Sequence, residues 1–104
     1  ALRKPTEMQR ATVQEQARII VPPESGGTGF RRVQVLVPAG AAVNMGIDDK
    51  PDDIGQNRSY QLSQMTAGYP VAFMLMPEQF LTAASVRGNA YVSVIVEYYA
   101  AEGA

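Results

Sequence analysis

The sequence of 104 residues contains no histidine and no cysteine. Without histidine it lacks the commonest general base and the usual zinc and iron ligand, and without either residue no Ser-His or Cys-His arrangement is possible. Disulfide bonds are excluded as well, so cysteine usage does not indicate a redox compartment. Asp and Glu alone would have to act as acid and base. We therefore predict a protein that is not an enzyme and has no cofactor.

Lysine is also scarce, and long apolar runs are missing. Only Lys4 and Lys50 are present, both in predicted loops, which disfavours a Schiff base or a Ser-Lys pair. No apolar run approaches the ~18 residues of a membrane span, and the first ten residues lack the apolar stretch of a signal peptide. With 46% hydrophobic residues and a net charge of -1, nothing indicates a nucleic-acid or membrane partner. We expect protein partners.

The charge is unevenly distributed along the chain. Residues 1–32 have a net charge of +3, and residues 33–104 have a net charge of -4. A basic front and an acidic body suit contact between neighbouring copies or docking onto an acidic surface. Ordinary scatter of surface charge would give the same pattern.

The end of the chain shows the clearest strand pattern. Along residues 90–99, Val92, Val94, Val96 and Tyr98 alternate with other residues, which is the period of a β-strand. We predict that residues 79–85 form its antiparallel hairpin partner, with Gly88 and Asn89 in the tight connection.

Five further strand candidates precede this pair, at residues 12–21, 31–37, 42–47, 58–65 and 71–76, each bounded by Gly, Pro, Asn or Asp. Residues 6–18 have a second interpretation as a short helix with Thr6 as its N-cap. The strand pattern predicts an all-β fold, an antiparallel β-sandwich or jelly-roll-like barrel of about seven strands with an extended N-terminal arm. We divide the chain into the arm (1–10), the β-sandwich domain (11–99) and a C-terminal tail (100–104).

The acidic segment DDKPDD at residues 48–53 is the best candidate for a chemical site. Its four aspartates supply the oxygen ligands that calcium prefers, although the spacing departs from that of an EF-hand. A glycosidase pair would need a separation of ~5 Å or more, which neighbours in one loop rarely reach. A solvated turn explains the same residues. The glycine-rich residues 26–30 lack the Lys-Ser/Thr ending of a phosphate-binding loop, and we interpret them as a flexible loop.

Aromatic residues offer a second candidate site. The five tyrosines are compatible with a platform for sugar rings on a β-sandwich, and equally with packing in the core and at its rim. Basic residues are not interleaved with them, which disfavours nucleic-acid binding. The five are Tyr60, Tyr69, Tyr91, Tyr98 and Tyr99.

Apolar strand surface exceeds what one small sandwich hides easily. Both faces of the strand at 71–76 are apolar, and its methionines Met74 and Met76 suit an adaptable contact surface. Either loops of the same chain or another subunit must cover it. The arm is either disordered or ordered on a neighbouring subunit. The predicted partner interface consists of Leu2, Arg3, Lys4, Arg10, Met74 and Met76.

Two segments carry a resemblance to a known family. LMPEQFLTAASVRGNAYVSVIVEYY (75–99) and VQVLVPAGAAVNMGIDD (33–49) resemble the closing hairpin and an earlier strand-turn-strand of small β-sandwich accessory proteins in tailed bacteriophage virions. The resemblance implies a capsid decoration or cement protein with a jelly-roll-like fold, which often forms trimers at capsomer junctions and has no catalytic residues. It further implies the major capsid protein or another virion protein as partner, and synthesis in the host bacterial cytoplasm before attachment to the capsid surface.

We therefore predict a virion structural protein that binds the outside of a phage head and stabilises it. Neck, tail and fibre-base components of the same virions are alternatives within this class. A carbohydrate- or ligand-binding β-sandwich module is the alternative outside it, and the tyrosines and the acidic segment are its support.

Overall fold

A computed structural model describes residues 2–24, 29–49, 60–61, 65–66 and 70–101. This part of the chain forms nine β-strands and no helix, as the all-β prediction requires. Seven strands have four residues or more, which matches the predicted number. The strands are β1 (Leu2–Val13), β2 (Arg18–Val21), β3 (Phe30–Leu36), β4 (Ala42–Asp48), β5 (Tyr60–Gln61), β6 (Met65–Thr66), β7 (Val71–Leu75), β8 (Phe80–Ser85) and β9 (Ala90–Tyr99).

The strands form two antiparallel sheets. The front sheet has the order β1-β9-β3-β7, and the back sheet has the order β2-β8-β4-β5, with β6 also pairing with β4. Successive long strands alternate between the two sheets, which is the arrangement of a jelly roll. The predicted fold class is confirmed.

The core lies between the inner faces of the two sheets. From the front sheet, alternate residues of β3 and β9 point inward and are buried, including Val33, Val35, Val92 and Val94. The back sheet contributes Phe80, Leu81, Val43 and Met45 among others. Each such side chain stabilises the fold by about 1.5–3 kcal/mol through its removal from water.

The predicted closing hairpin is wrong. β8 lies in the back sheet between β2 and β4, whereas β9 lies in the front sheet between β1 and β3. Residues 86–89 therefore form an arch from one sheet to the other, with Gly88 at a φ of 63°. A glycine-containing turn shows where the chain reverses, but it does not show whether the two strands stay in one sheet.

A second connection between the sheets runs beside this arch. The strand predicted over residues 12–21 is in fact two strands, because residues 14–17 carry the chain from β1 in the front sheet to β2 in the back sheet. The two connections are joined where the N–H of Ser85 donates to the carbonyl oxygen of Gln14 over 2.7 Å. The N–H of Gly88 donates to the Glu15 carboxylate over 2.8 Å. The helix considered for residues 6–18 is wrong, because pairing with β9 overrides the helix propensity of this segment.

The N-terminal residues form an edge strand of the front sheet. β1 pairs with β9 of the same chain, and the predicted boundary between residues 10 and 11 falls inside it. The register shifts between Leu2 and Lys4 and again between Lys4 and Glu7, a stretch that contains Pro5. From Glu7 to Val13 the pairing is regular. The first residues of β1 are thus irregularly paired, since proline has no N–H to donate.

Candidate functional site

The outer face of the front sheet carries a row of side chains across all four strands. Met8 of β1 lies opposite Ile95 of β9, which lies opposite Gln34 of β3, and Gln34 lies opposite Ala72 of β7. Side chains of directly opposed residues are close enough to touch. This row therefore crosses the outer face from one edge of the sheet to the other, and three of its four side chains are apolar.

Exposed large apolar side chains are concentrated on this sheet. Of the seven found among the described residues, six belong to its strands or follow one directly, and the seventh, Val86, lies in the arch. Met8 is the most exposed, at 77%, and Met74 and Tyr91 follow at 58% each. The six are Leu2, Met8, Leu36, Met74, Met76 and Tyr91.

Two shallow grooves run over the middle of the same face. One has a volume of about 270 Å³ and is lined by Gln34, Leu36, Pro70, Ser93 and Ile95. The other lies beside Met8 and Arg10 on β1 and shares Ser93 and Ile95 with the first. The two grooves therefore lie on either side of Ser93 and Ile95 in β9.

The two sheets differ in the length of their edge strands. The edges of the back sheet are short, with four residues in β2 and two each in β5 and β6. In the front sheet, β1 has twelve residues and β7 has five. β7 pairs with β3 without a register shift, from Arg31 opposite Leu75 to Val35 opposite Val71. The longest runs of outward-facing backbone groups in the described residues are therefore on the front sheet.

The six residues predicted as a partner interface lie on these two edges. Leu2, Arg3, Lys4 and Arg10 belong to β1, Met74 belongs to β7, and Met76 directly follows β7. β9 and β3 separate the two edges, so the structure does not bring the two sets together within one chain. Their role in binding a partner stays a prediction.

A charged cluster fixes the start of β1. The guanidinium of Arg3 forms a two-pronged ion pair with Glu24, with N···O distances of 2.5 and 3.0 Å. Lys4 Nζ lies 3.3 Å from the same carboxylate. These contacts, the Arg3 hydrogen bond first, lower the pKa of Glu24 to about 2. Glu24 in turn raises the pKa of Arg3. The beginning of β1 is thus held by charge rather than by apolar burial.

Tyr98 adds to this cluster. Its hydroxyl donates to the carboxylate of Glu7, and its ring lies 4.1 Å from Lys4 Nζ and 5.4 Å from the guanidinium carbon of Arg3. Cations over an aromatic ring are attracted by its quadrupole. Tyr99 stacks on Phe30 with a centroid distance of 5.1 Å. Two of the five candidate platform tyrosines are therefore engaged in contacts within the chain.

Tyr91 is the exposed tyrosine on the outer face of the front sheet. Of the remaining two, Tyr69 lies outside the described residues. For Tyr60 the structure describes only that it belongs to β5. No aromatic platform is assembled by the tyrosines whose side chains the structure describes.

Arg31 is a buried charged residue that the sequence interpretation missed. It is 3% exposed, and its guanidinium donates to the carbonyl oxygens of Pro22 and Gln79. Burial lowers its pKa. A cavity of about 220 Å³ next to it is lined by charged and polar side chains as well as apolar ones. The signal was present in the alternation, because Arg31 shares its face of β3 with the core residues Val33 and Val35.

The acidic segment is only partly within the described residues. Asp48 is buried at the end of β4 and accepts a hydrogen bond of 2.7 Å from the N–H of Asp49. The rest of the segment, from Lys50 on, lies outside. In the described ranges no three His, Cys, Asp or Glu residues are grouped to hold a metal ion. Those same ranges contain no helix long and apolar enough to cross a membrane.

Comparison with known proteins gives a structural match and no sequence match. No protein-family model and no curated protein matches the chain. Among solved structures, a similar chain comes from "Bacillus endospore appendages form a novel family of disulfide-linked pili". The TM-score is 0.52 at 11% identity, over 93% of this chain and 87% of that one. At this identity the similarity shows a shared fold. The sequence of 104 residues has no cysteine with which to form a disulfide.

Proposed function

We propose that this protein is a non-enzymatic structural subunit that works in many copies within an extracellular protein assembly. The observation that carries the proposal is the concentration of exposed large apolar side chains on the front sheet. Contiguous apolar surface on a small protein marks a site of contact with another molecule. The front sheet is therefore the contact surface.

The chemistry of this surface suits repeated protein contacts. Met8, Met74 and Met76 have flexible thioether side chains that adapt to the shape of a partner. A specific interface buries ~1,600 Å² in total, and this is the area that neighbouring copies would have to bury between them. Repetition of such contacts stabilises an assembly even when each contact is weak.

Two settings fit this role. The shared fold with a chain from disulfide-linked pili supports a filament subunit. The resemblance of residues 33–49 to phage accessory proteins supports a capsid decoration or cement protein, with the major capsid protein as its partner and the capsid surface as its location. The resemblance of residues 75–99 adds less, because it is to a closing hairpin and β8 and β9 lie in different sheets. A jelly roll agrees with both settings. Because these 104 residues include no cysteine, they could contribute no disulfide link to such a filament.

Sedimentation of the purified chain over a range of concentrations tests the role itself. We expect oligomers that grow with concentration, and we expect the substitution Leu36→Lys on the outer face to weaken them at least tenfold. Val86→Lys is the matched control, because Val86 is exposed to a similar degree but lies in the arch. Circular dichroism of both variants should retain the β-sheet spectrum. A chain that stays monomeric at every concentration contradicts the proposal.

Density-gradient fractionation of the source material separates the two settings. Peptide mass spectrometry would follow the chain through the gradient. Hundreds of copies in DNA-filled particles support the decoration protein, and a few copies per particle support a neck or tail component. Recovery in DNA-free fibres supports the filament subunit. A free small protein at the top of the gradient counts against every setting.

A further inference from the structure

We propose that copies of this chain join edge to edge, with the outer edge of β7 in one copy pairing with residues 7–13 of β1 in the next. The front sheets of neighbouring copies would then form one continuous antiparallel sheet. This proposal rests on the proposed function and names one of the contacts through which the subunit assembles.

The direction of the strands favours this contact. Each strand of the front sheet runs antiparallel to its neighbour in the order β1-β9-β3-β7. Since the sheet has an even number of strands, β1 and β7 run in opposite directions. A second copy placed with its β1 beside β7 therefore continues the antiparallel alternation, which gives a slightly more stable ladder than a parallel junction.

The sequence of β7 lacks the charges and prolines that keep an edge strand from pairing. Its sequence, VAFML, contains no charge and no proline, and its pairing with β3 is regular. Proteins that avoid edge pairing place lysine, proline or a bulge on such a strand. Among the described residues only β3 pairs with β7. Pro70 and Pro77 flank the strand at a short distance and limit a partner to a segment of about this length.

The first half of β1 has features that hinder pairing with a further strand, whereas the second half is regular. The features that hinder pairing are Lys4, Pro5 and the two register shifts, and all of them precede Glu7. Residues 7–13 then pair regularly with β9, and this stretch of seven residues is long enough to cover the five residues of β7. β-strand addition of this kind combines main-chain hydrogen bonds with contacts between alternate side chains.

Exposed apolar side chains of the two copies would also meet on the outer face at this junction. Met8 and Met74 are among the most exposed apolar residues described, at 77% and 58%. Pairing β7 with β1 of a second copy would place these two side chains on the same face of the joined sheet, next to Ala72. Two of the most exposed apolar groups would then shield each other from water.

Pairing between identical edges fits less well. Two β1 strands paired through residues 7–13 would bring the Arg10 side chains of both copies to one seam, and like charges across a strand pair are destabilising. Two β7 strands would cover each other but would leave Met8 and the regular half of β1 exposed. Pairing β7 of one copy with β1 of the next uses both edges of the sheet. It gives each copy two neighbours, so the assembly closes into a ring or continues as a filament.

The absence of cysteine makes a direct test possible. Met8→Cys and Met74→Cys would be prepared as separate full-length variants, mixed, and treated with a short bis-maleimide that tolerates a register difference of one diagonal, about 7–8 Å. We expect cross-linked dimers in the mixture and none in either variant alone. A double variant should give a ladder of multimers on a denaturing gel. A mixture of Met8→Cys and Val86→Cys is the control and should give no dimers.

Four outcomes would overturn the edge contact. Cross-linking of Met74→Cys alone would assign the contact to two β7 strands, and cross-linking of Met8→Cys alone would assign it to two β1 strands. Oligomers in sedimentation without any Met8 to Met74 cross-link would also overturn it, while the proposed function would stand. A chain that remains monomeric in sedimentation would overturn both proposals.

A charged residue on β7 gives an independent check. Met74→Lys places on β7 a lysine, which hinders the pairing of an edge strand. We expect this variant to weaken self-association at least tenfold with an unchanged β-sheet spectrum. Val86→Lys should leave self-association unchanged. Undiminished association of a folded Met74→Lys variant would argue against pairing through β7.

Discussion

The guanidinium of Arg31 donates a hydrogen bond of 2.6 Å to the carbonyl oxygen of Gln79, 48 residues away in the chain. A second bond, of 2.7 Å, reaches the carbonyl oxygen of Pro22. A single buried cation in the front sheet thus satisfies a carbonyl after β2 and another before β8 in the back sheet. The contact joins the two sheets by hydrogen bonds where the rest of the core joins them by apolar packing.

Replacing this arginine should destabilise the fold. Arg31→Met leaves the two carbonyl groups without their donor, and a buried unsatisfied polar group costs ~1–3 kcal/mol. We expect a loss of roughly 2 kcal/mol or more in the free energy of unfolding, measured by urea denaturation. Arg32→Met is the matched control, because Arg32 lies on the opposite, half-exposed face and pairs with Glu97 at the surface. Its loss should stay below about 1 kcal/mol.

The ion pairs of Glu24 predict a pH dependence at low pH. Since its pKa falls from the ordinary 4.5 to about 2 in the folded chain, this carboxylate contributes its full stabilisation above pH 4.5. The contribution is lost as the pH falls from there towards 2, because the proton then binds the unfolded chain more readily. Melting temperatures of the wild type and of Glu24→Gln, compared from pH 7 to pH 2, should differ most at neutral pH and converge in acid. A difference that is constant over this range would contradict the assignment.

Gly29 should tolerate no side chain. Its φ is 109°, and a Cβ placed there would lie 2.2 Å from the carbonyl oxygen of Tyr99. Gly29→Ala is expected to destabilise the chain by roughly 2–4 kcal/mol in urea, since the backbone is both strained and blocked by another backbone segment. Gly40→Ala is the control, because its φ is also positive at 83° but a Cβ there meets open space. It should cost about 1 kcal/mol, from backbone strain alone.

The arch between β8 and β9 can be tested at Ser85. Its hydroxyl donates to the carbonyl oxygen of Arg87 and accepts from the N–H of the same residue. Ser85→Ala removes both bonds from a buried position and should lower the free energy of unfolding by roughly 1 kcal/mol. Asn89→Ala, at an exposed position in the same arch, should change it by less than about 0.5 kcal/mol.

The strands and the fold class were predictable because alternation reports burial directly. Val33 and Val35, or Val92 and Val94, repeat every second residue, and this is enough to place each run in a sheet with one face inward. Partner choice was not predictable in this way. The turn at Gly88 is compatible with a hairpin and with an arch, and the decision depends on β9 pairing with β1, far away in sequence. Long-range pairing of that kind leaves no local pattern.

The candidate surface was predictable in part. The methionines at 74 and 76 stood out because both faces of their strand are apolar, and they are exposed in the structure. Met8 and Leu36 were not among the predicted interface residues, since their exposure depends on which strands flank them. The regular half of β1 was likewise hidden, because its sequence is compatible with a helix, an arm or a strand until β9 is present beside it.

The pairing of β1 with β9 also sets the order of events when the chain folds. Leu2 lies opposite Tyr99, so β1 leaves the ribosome well before its partner β9 has been made. Contacts between such distant residues require the closure of a large loop, and folds dominated by them form in milliseconds to seconds rather than microseconds. The front sheet can therefore close only after synthesis has reached β9. Until then β3 and β7 can pair with each other while β1 remains unpaired.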